Sequence, residues 1–165
     1  TVAGPLGSLV LEADRLAKAG ASAGEVEAQV RRMMVRNKIY FIVDTLEFLR
    51  RGGRIGGAQA LLGTALNIKP LLEMRDGRIE TVEKIRTKGK AIERMLDLLV
   101  ERVGRRSPVR LAASHAAAEA EALSMLDAAR KRLTPVEKMC VPLSPVIGTH
   151  AGPGTVAINY MAGVN

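Results

Sequence analysis

The stretch Ile68-Lys69-Pro70-Leu71-Leu72-Glu73-Met74-Arg75-Asp76-Gly77-Arg78-Ile79-Glu80-Thr81-Val82-Glu83-Lys84-Ile85-Arg86 sets the fold class. Asp76-Gly77 is the preferred pair for a two-residue type I′ turn, flanked on both sides by strand-like runs. Together they predict a hairpin of strands 68–75 and 78–86. Leu72 and Met74 share one face of the first strand. Ile79, Val82 and Ile85 are three apart rather than two, which predicts a bulge or extra twist in the second. Pro70 donates nothing to a ladder, so that end is expected at a sheet edge.

Toward the N-terminus, Gly56–Leu66 is small and apolar and reads as a tightly packed helix. Ile39–Val43 is a short apolar run, a buried strand, followed by a short helix 45–51 that Asp44 or Thr45 caps and Gly52-Gly53 ends. Ser22-Ala23-Gly24-Glu25 is a capping box that opens a helix with the stripe Val26, Val30, Met33 and Met34. An earlier helix carries Leu6, Leu9, Val10, Ala13, Leu16 and Ala17 and stops at Gly20. Toward the C-terminus follow a helix lined by Ile92–Val103, a strand 109–113, a helix lined by Ala118–Leu133 and a strand 136–143 broken at Pro142. A glycine-rich loop, 148–154, precedes the last run, 156–160. Strands and helices alternate around one hairpin, which predicts an α+β domain with a mixed or antiparallel sheet and packed helices.

At 165 residues the chain is long enough for a hydrophobic core and favours one domain, 1–165. Hydrophobic residues at 47% and charged ones at 25% argue against disorder. No apolar run approaches the ~18 residues of a membrane span. Aromatics are Tyr40, Phe41, Phe48 and Tyr160 alone, too few for a protein that stacks bases. The net charge of +8 fits nucleic acid, an anionic membrane surface or simply an arginine-rich solvated face. The basic residues form no block of five or six, so a basic regulatory or nucleic-acid-binding module stands only as the alternative reading. The one cysteine, Cys140, makes no internal disulfide or cysteine-based zinc cluster and reads as a structural thiol. No secretory signal is visible, and a reducing, cytoplasmic setting fits. The chain opens with Thr1, which suits a processed chain or a piece of a longer one.

Two segments hold polar residues that packing alone does not explain. In Arg51-Gly52-Gly53-Arg54-Ile55-Gly56-Gly57, glycines permit close backbone approach, and Arg54 can clamp a carboxylate or phosphate. A flexible turn with solvated arginines is the other reading. In Gly148-Thr149-His150-Ala151-Gly152-Pro153-Gly154, Thr149 offers a hydroxyl and His150 a group that changes charge near neutral pH. This segment follows an apolar run, so it is expected at a strand end, either as a ligand loop or as a tight structural turn. His115 reads as a helix cap. Two separated histidines make a poor metal site, so none is expected. There is no Gly-Lys-Ser/Thr phosphate loop, no dinucleotide fingerprint and no nucleophile elbow.

Phe41-Ile42-Val43-Asp44-Thr45-Leu46-Glu47-Phe48-Leu49-Arg50-Arg51-Gly52-Gly53-Arg54-Ile55 closely resembles a signature of the DegV family. The resemblance continues through Ala60-Leu61-Leu62-Gly63, Leu66-Asn67-Ile68-Lys69-Pro70-Leu71-Leu72, Asp76-Gly77, Lys84-Ile85-Arg86-Thr87 and Ile147–Gly154. It covers essentially the whole chain. It implies a bacterial fatty-acid-binding protein that presents a long-chain fatty acid to a fatty acid kinase. The kinase phosphorylates the carboxyl group, and the acyl-phosphate enters phospholipid synthesis. The chain itself would then hold no catalytic residue and no cofactor. The family has two domains with the acyl chain between them. This chain resembles the C-terminal domain with its leading helix, the N-terminal domain and its carboxylate-binding Ser/Thr groups being absent. Arg54 and His150 match the family's head-group arginine and histidine, with Thr149 beside them. Ile42, Leu62, Ile68, Leu71 and Ile147 are the expected acyl-chain lining, with ordinary core packing as the other reading. Partners implied are the fatty acid, the kinase, the missing domain and a peripheral membrane contact, with no specific nucleic acid. An exposed tunnel wall predicts a large apolar patch and self-association through it.

Overall fold

The computed structural model describes residues 2–63 and 68–163. A six-stranded mixed sheet in the order β3-β2-β1-β6-β4-β5 carries helices on both faces. The strands are β1 (Asn37–Ile42), β2 (Leu71–Arg75), β3 (Arg78–Glu83), β4 (Val109–His115), β5 (Glu137–Pro142) and β6 (Val156–Ala162). Neighbours run antiparallel except β4 and β5, which the helix α5 (Glu119–Leu133) joins as a parallel pair. The expected α+β architecture with a mixed sheet is the one observed.

One face packs against α4 (Lys88–Val103) and α5. Ile42, Leu71, Leu111, Val156 and Ile158 meet Met95, Leu96, Leu99, Met125 and Leu126 there. The other face holds two smaller clusters. Phe41, Val43, Leu72, Ile79 and Ala157 pack under α3 (Glu47–Arg51) and a 3₁₀ turn, Gly56–Leu61. Met161 packs with Leu9 of α1 (Ala3–Lys18) and Met33 of α2 (Ala23–Arg36). Between these clusters runs a buried polar row. Asn159 Nδ2 donates to Asn37 Oδ1 at 3.2 Å and Ser8 Oγ at 3.5 Å, and Gly4 N donates to Ser114 Oγ at 3.3 Å. This row seats α1 on the central strands. A second set ties α1 to the β4–β5 edge: Glu12 bridges Arg15 and Arg110 at 2.9 and 3.3 Å, and Arg15 reaches Glu137 at 2.8 Å.

The hairpin forms as expected, with Asp76 and Gly77 at φ 50° and 80°. The second strand bulges: Leu71 opposes Glu83 while Leu72 opposes Thr81. Two corrections concern this region. β2 lies inside the sheet, and Pro70 precedes the strand rather than marking an edge, so its missing N–H disturbs no ladder. The helix expected over 56–66 is a 3₁₀ turn as far as Leu61, and its end, with Leu66 and Asn67, lies outside the described residues. The capping box on α2 is present in full. Of the stripe read on α2 only Met33 is buried, and Met34 is exposed. On α1, Leu6 and Val10 are exposed while Ser8 and Glu12 face the sheet.

Candidate functional site

The C-terminal ends of β1, β4 and β5 and the start of β6 lie at one end of the sheet. Segment 148–154 returns there, though not as the expected loop. Residues Pro145–Ala151 form a seven-residue helix, α6, with Pro145 at its start and Gly152 at φ 81° ending it. One glycine inside its seven residues and another directly after them hide such a helix from any periodicity. His150 and Thr149 therefore ride on α6, and Thr149 donates its hydroxyl to Pro145 O at 2.8 Å.

α6 packs on α3, and the contact is made through glycines. A Cβ on Gly52 would overlap His150 Nδ1, and one on Gly152 would overlap the Phe48 ring. The imidazole thus lies flush on the Gly52 backbone, its Nδ1 buried without a hydrogen-bond partner. Arg54 is exposed and donates to Gly52 O at 2.8 Å. Gly52 is therefore the common support of His150 and Arg54, two groups that are 96 residues apart in the chain. Arg54 also borders an open groove of about 590 Å³ between the Gly53–Gly57 segment and the β2–β3 hairpin.

The expected lining residues do not form one wall. Ile42 and Leu71 are fully buried opposite each other in the core facing α4 and α5. Ile68 packs on the other side of the sheet, against the cluster under α3. Leu62 is 39% exposed just beyond the 3₁₀ turn, and Ile147 is half-buried on α6.

Asp44 does not cap α3. Lys69 Nζ donates to its carbonyl at 2.8 Å and meets Oδ1 at 3.2 Å, and Lys88 Nζ meets Oδ1 at 3.4 Å. Thr45 does supply a local bond, accepting from Glu47 N at 3.2 Å. His115 does not cap α5 either: it ends β4 buried, with Nδ1 unpartnered, and α5 has no side-chain cap. Sequence reasoning missed Lys69 and Lys88. Their only signal is a position beside the hairpin and at a helix start.

Hydrogen bonds from Arg50 and Arg51 hold the Glu47 carboxyl down to about 2. Burial pushes the Cys140 thiol up, so it stays protonated near neutral pH. Burial, with the neighbouring Tyr160, pushes the Tyr40 phenol up to about 12. The two rings stack at 6.4 Å between centroids, with Tyr160 toward the other end of the sheet.

Comparison with known proteins agrees with this architecture. A DegV domain-containing protein of Streptomyces coelicolor is 42% identical over 158 residues, which are 95% of this chain and 56% of that protein. A DegV family protein of Thermus thermophilus, described as fatty acid binding, superposes with a TM-score of 0.86 at 36% identity, over 96% of this chain and 57% of that one. DegV of Bacillus subtilis, described as a fatty acid binding protein, gives 0.82 at 36% identity, over 96% and 56%. The chain thus spans little more than half the length of the relatives it matches. The model of a family described as uncharacterised DegV proteins matches residues 1–163, and with that match and these relatives the chain belongs to the DegV family.

Proposed function

We propose that this chain is the C-terminal part of a two-domain carrier that binds a long-chain fatty acid. The carboxylate lies near Arg54 and His150, with Thr149 beside them. The observation that carries the reading is the seating of His150 and Arg54 on one glycine beside an apolar cluster. A carboxylate favours a guanidinium and an imidazole donor, and each buried CH₂ of the tail contributes ~0.8 kcal/mol. Leu62, Ile68 and Ile147 retain surface to offer the tail. Ile42 and Leu71 line it only where the sheet core is reached. The fatty-acid-binding descriptions of the Thermus and Bacillus proteins support the same ligand class.

The carrier is not itself a catalyst. It presents the acid, and receives the acyl-phosphate, in partnership with a fatty acid kinase in the cytoplasm. Arg50 and Arg51, exposed at the end of α3, form the basic contact for the kinase or an anionic membrane. Among the described residues no helix is long and apolar enough to cross a membrane.

Organic extraction of the purified intact protein, with mass spectrometry of the extract, tests the ligand. Stoichiometric fatty acid is expected, and a marked loss of it in the Arg54→Ala, His150→Ala double variant. An intact protein that stays empty after incubation with fatty acids overturns the reading. Steeply salt-dependent binding to nucleic acid would then favour the basic module.

A further inference from the structure

α6 is short, no side chain caps its start, and His150 has no hydrogen bond on Nδ1 to hold its ring. What holds the C-terminal end of α6 is the turn 152–155. Thr155 Oγ1 donates back to Ala151 O at 2.9 Å, and Gly154 N donates to Ala116 O at 2.8 Å. A Cβ on Gly154 would overlap Asp44 Oδ2, so that carboxylate lies flush on the turn. Ala116 N in turn donates to Thr155 O at 3.0 Å, and a further contact comes from α4. Lys88, in the first turn of α4, donates Nζ to Gly154 O at 2.5 Å.

The same ammonium meets Glu121 Oε2 of α5 at 2.5 Å and Asp44 Oδ1 at 3.4 Å. Three acceptors from three elements match its three N–H donors. Lys69 completes the set by holding the carbonyl and carboxylate of Asp44. Two lysines and two carboxylates balance in charge. Loss of Lys88 both removes the donor to Gly154 O and leaves the Asp44 and Glu121 carboxylates without the cation between them.

We propose that Lys88 is a positioning residue for His150, acting through the clamped turn 152–155. A turn released from Lys88 moves the end of α6, and the imidazole leaves its seat on Gly52. Only the consequence for ligand affinity rests on the carboxylate-binding reading. The seat itself is a contact between this chain's own residues.

This chain contributes two histidines, and [¹⁵N]histidine labelling of the intact protein displays their imidazole spin systems. His150→Ala assigns the His150 signals by their loss. In Lys88→Met the His150 signals are expected to shift or broaden, and the Kd for fatty acid to rise about tenfold. Lys88→Arg, which keeps charge and donors, restores the signals. The near-UV circular dichroism of the same protein, to which the stacked Tyr40–Tyr160 pair contributes a tyrosine signal, reports that the fold is kept. If Lys88→Met loses that tyrosine signal, Lys88→Gln is read in its place. His150 signals that superimpose on wild type with the tyrosine signal intact overturn the proposal, as does a perturbation that is the same in Lys88→Arg. Signals that move while Kd stays unchanged support the positioning role and remove the carboxylate reading of His150.

Discussion

A methyl group on Gly52 would occupy the place of His150 Nδ1, although the backbone there, at φ −76°, accepts alanine without strain. The Gly52→Ala variant is therefore expected to fold with little loss of stability while its imidazole is displaced. Fatty-acid affinity should fall at least tenfold, about 1.4 kcal/mol, measured by calorimetry beside the thermal midpoint. Gly154→Ala differs, because φ is 81° and Asp44 Oδ2 fills the space. A residue forced into this region costs of order 1–3 kcal/mol in stability, readable by urea unfolding. The tyrosines allow a pH test. The chain has two tyrosines and no tryptophan, so absorbance at 295 nm follows Tyr40 and Tyr160 alone. Both phenols are pushed up by burial, Tyr40 to about 12. The folded state then holds protons that the unfolded state releases from about 10 upward. Stability contributed by Tyr40 is complete below that pH and is lost as pH rises toward 12. The 295 nm midpoint should lie above the ordinary phenol value and shift down in denaturant.

At the scale of elements, the pieces written in short-range chemistry are those the sequence makes plain. Ser22 and Glu25 exchange capping bonds, Ser22 N donating to Glu25 Oε2 at 2.8 Å and Glu25 N to Ser22 Oγ at 3.4 Å. Ser22→Ala should cost ~1 kcal/mol and lower the urea midpoint without changing the slope. Asp76-Gly77 likewise makes its turn from local φ preferences alone. α6 was not legible, because Gly148 and Gly152 in Pro145–Gly152 read as loop residues. Its helical state depends on packing against α3. The stripe on α1 is legible as a helix, but of its larger residues Leu9 is buried while Leu6 and Val10 face solvent. Glu12 and Ser8 turn inward because Arg15, Arg110 and the polar row await them, leaving Leu6 and Val10 outside.

Taken whole, the molecule has two unequal faces. The α4–α5 face is closed by large aliphatic side chains, and Leu99 in it is fully buried. Leu99→Ala should destabilise by about 2–5 kcal/mol through the cavity it leaves, measured by denaturant unfolding. The opposite side carries α1 and α2, whose outer surfaces present Leu6, Val10, Met34 and Val35 to solvent. The 165-residue chain alone is expected to self-associate through that apolar surface. A Val10→Glu substitution should shift it toward monomer in sedimentation velocity.

By itself the sequence determined the hairpin and its bulge, the capped second helix, the alternation that makes an α+β domain, and the signature shared with its family. These rest on turn chemistry, side-chain period and contiguous residue strings, which act over a few positions. Only the tertiary structure decided that β6 sits at the centre, that β2 is an inner strand and that residues 145–151 are helical. It alone put His150 and Arg54 on Gly52, and gathered Asp44, Lys69, Lys88 and Glu121 around Gly154. Apart from Arg54 on Gly52, those pairings join residues far apart in the chain. They are settled by which backbones approach without a Cβ between them and which charges find partners across elements, and no local pattern encodes either.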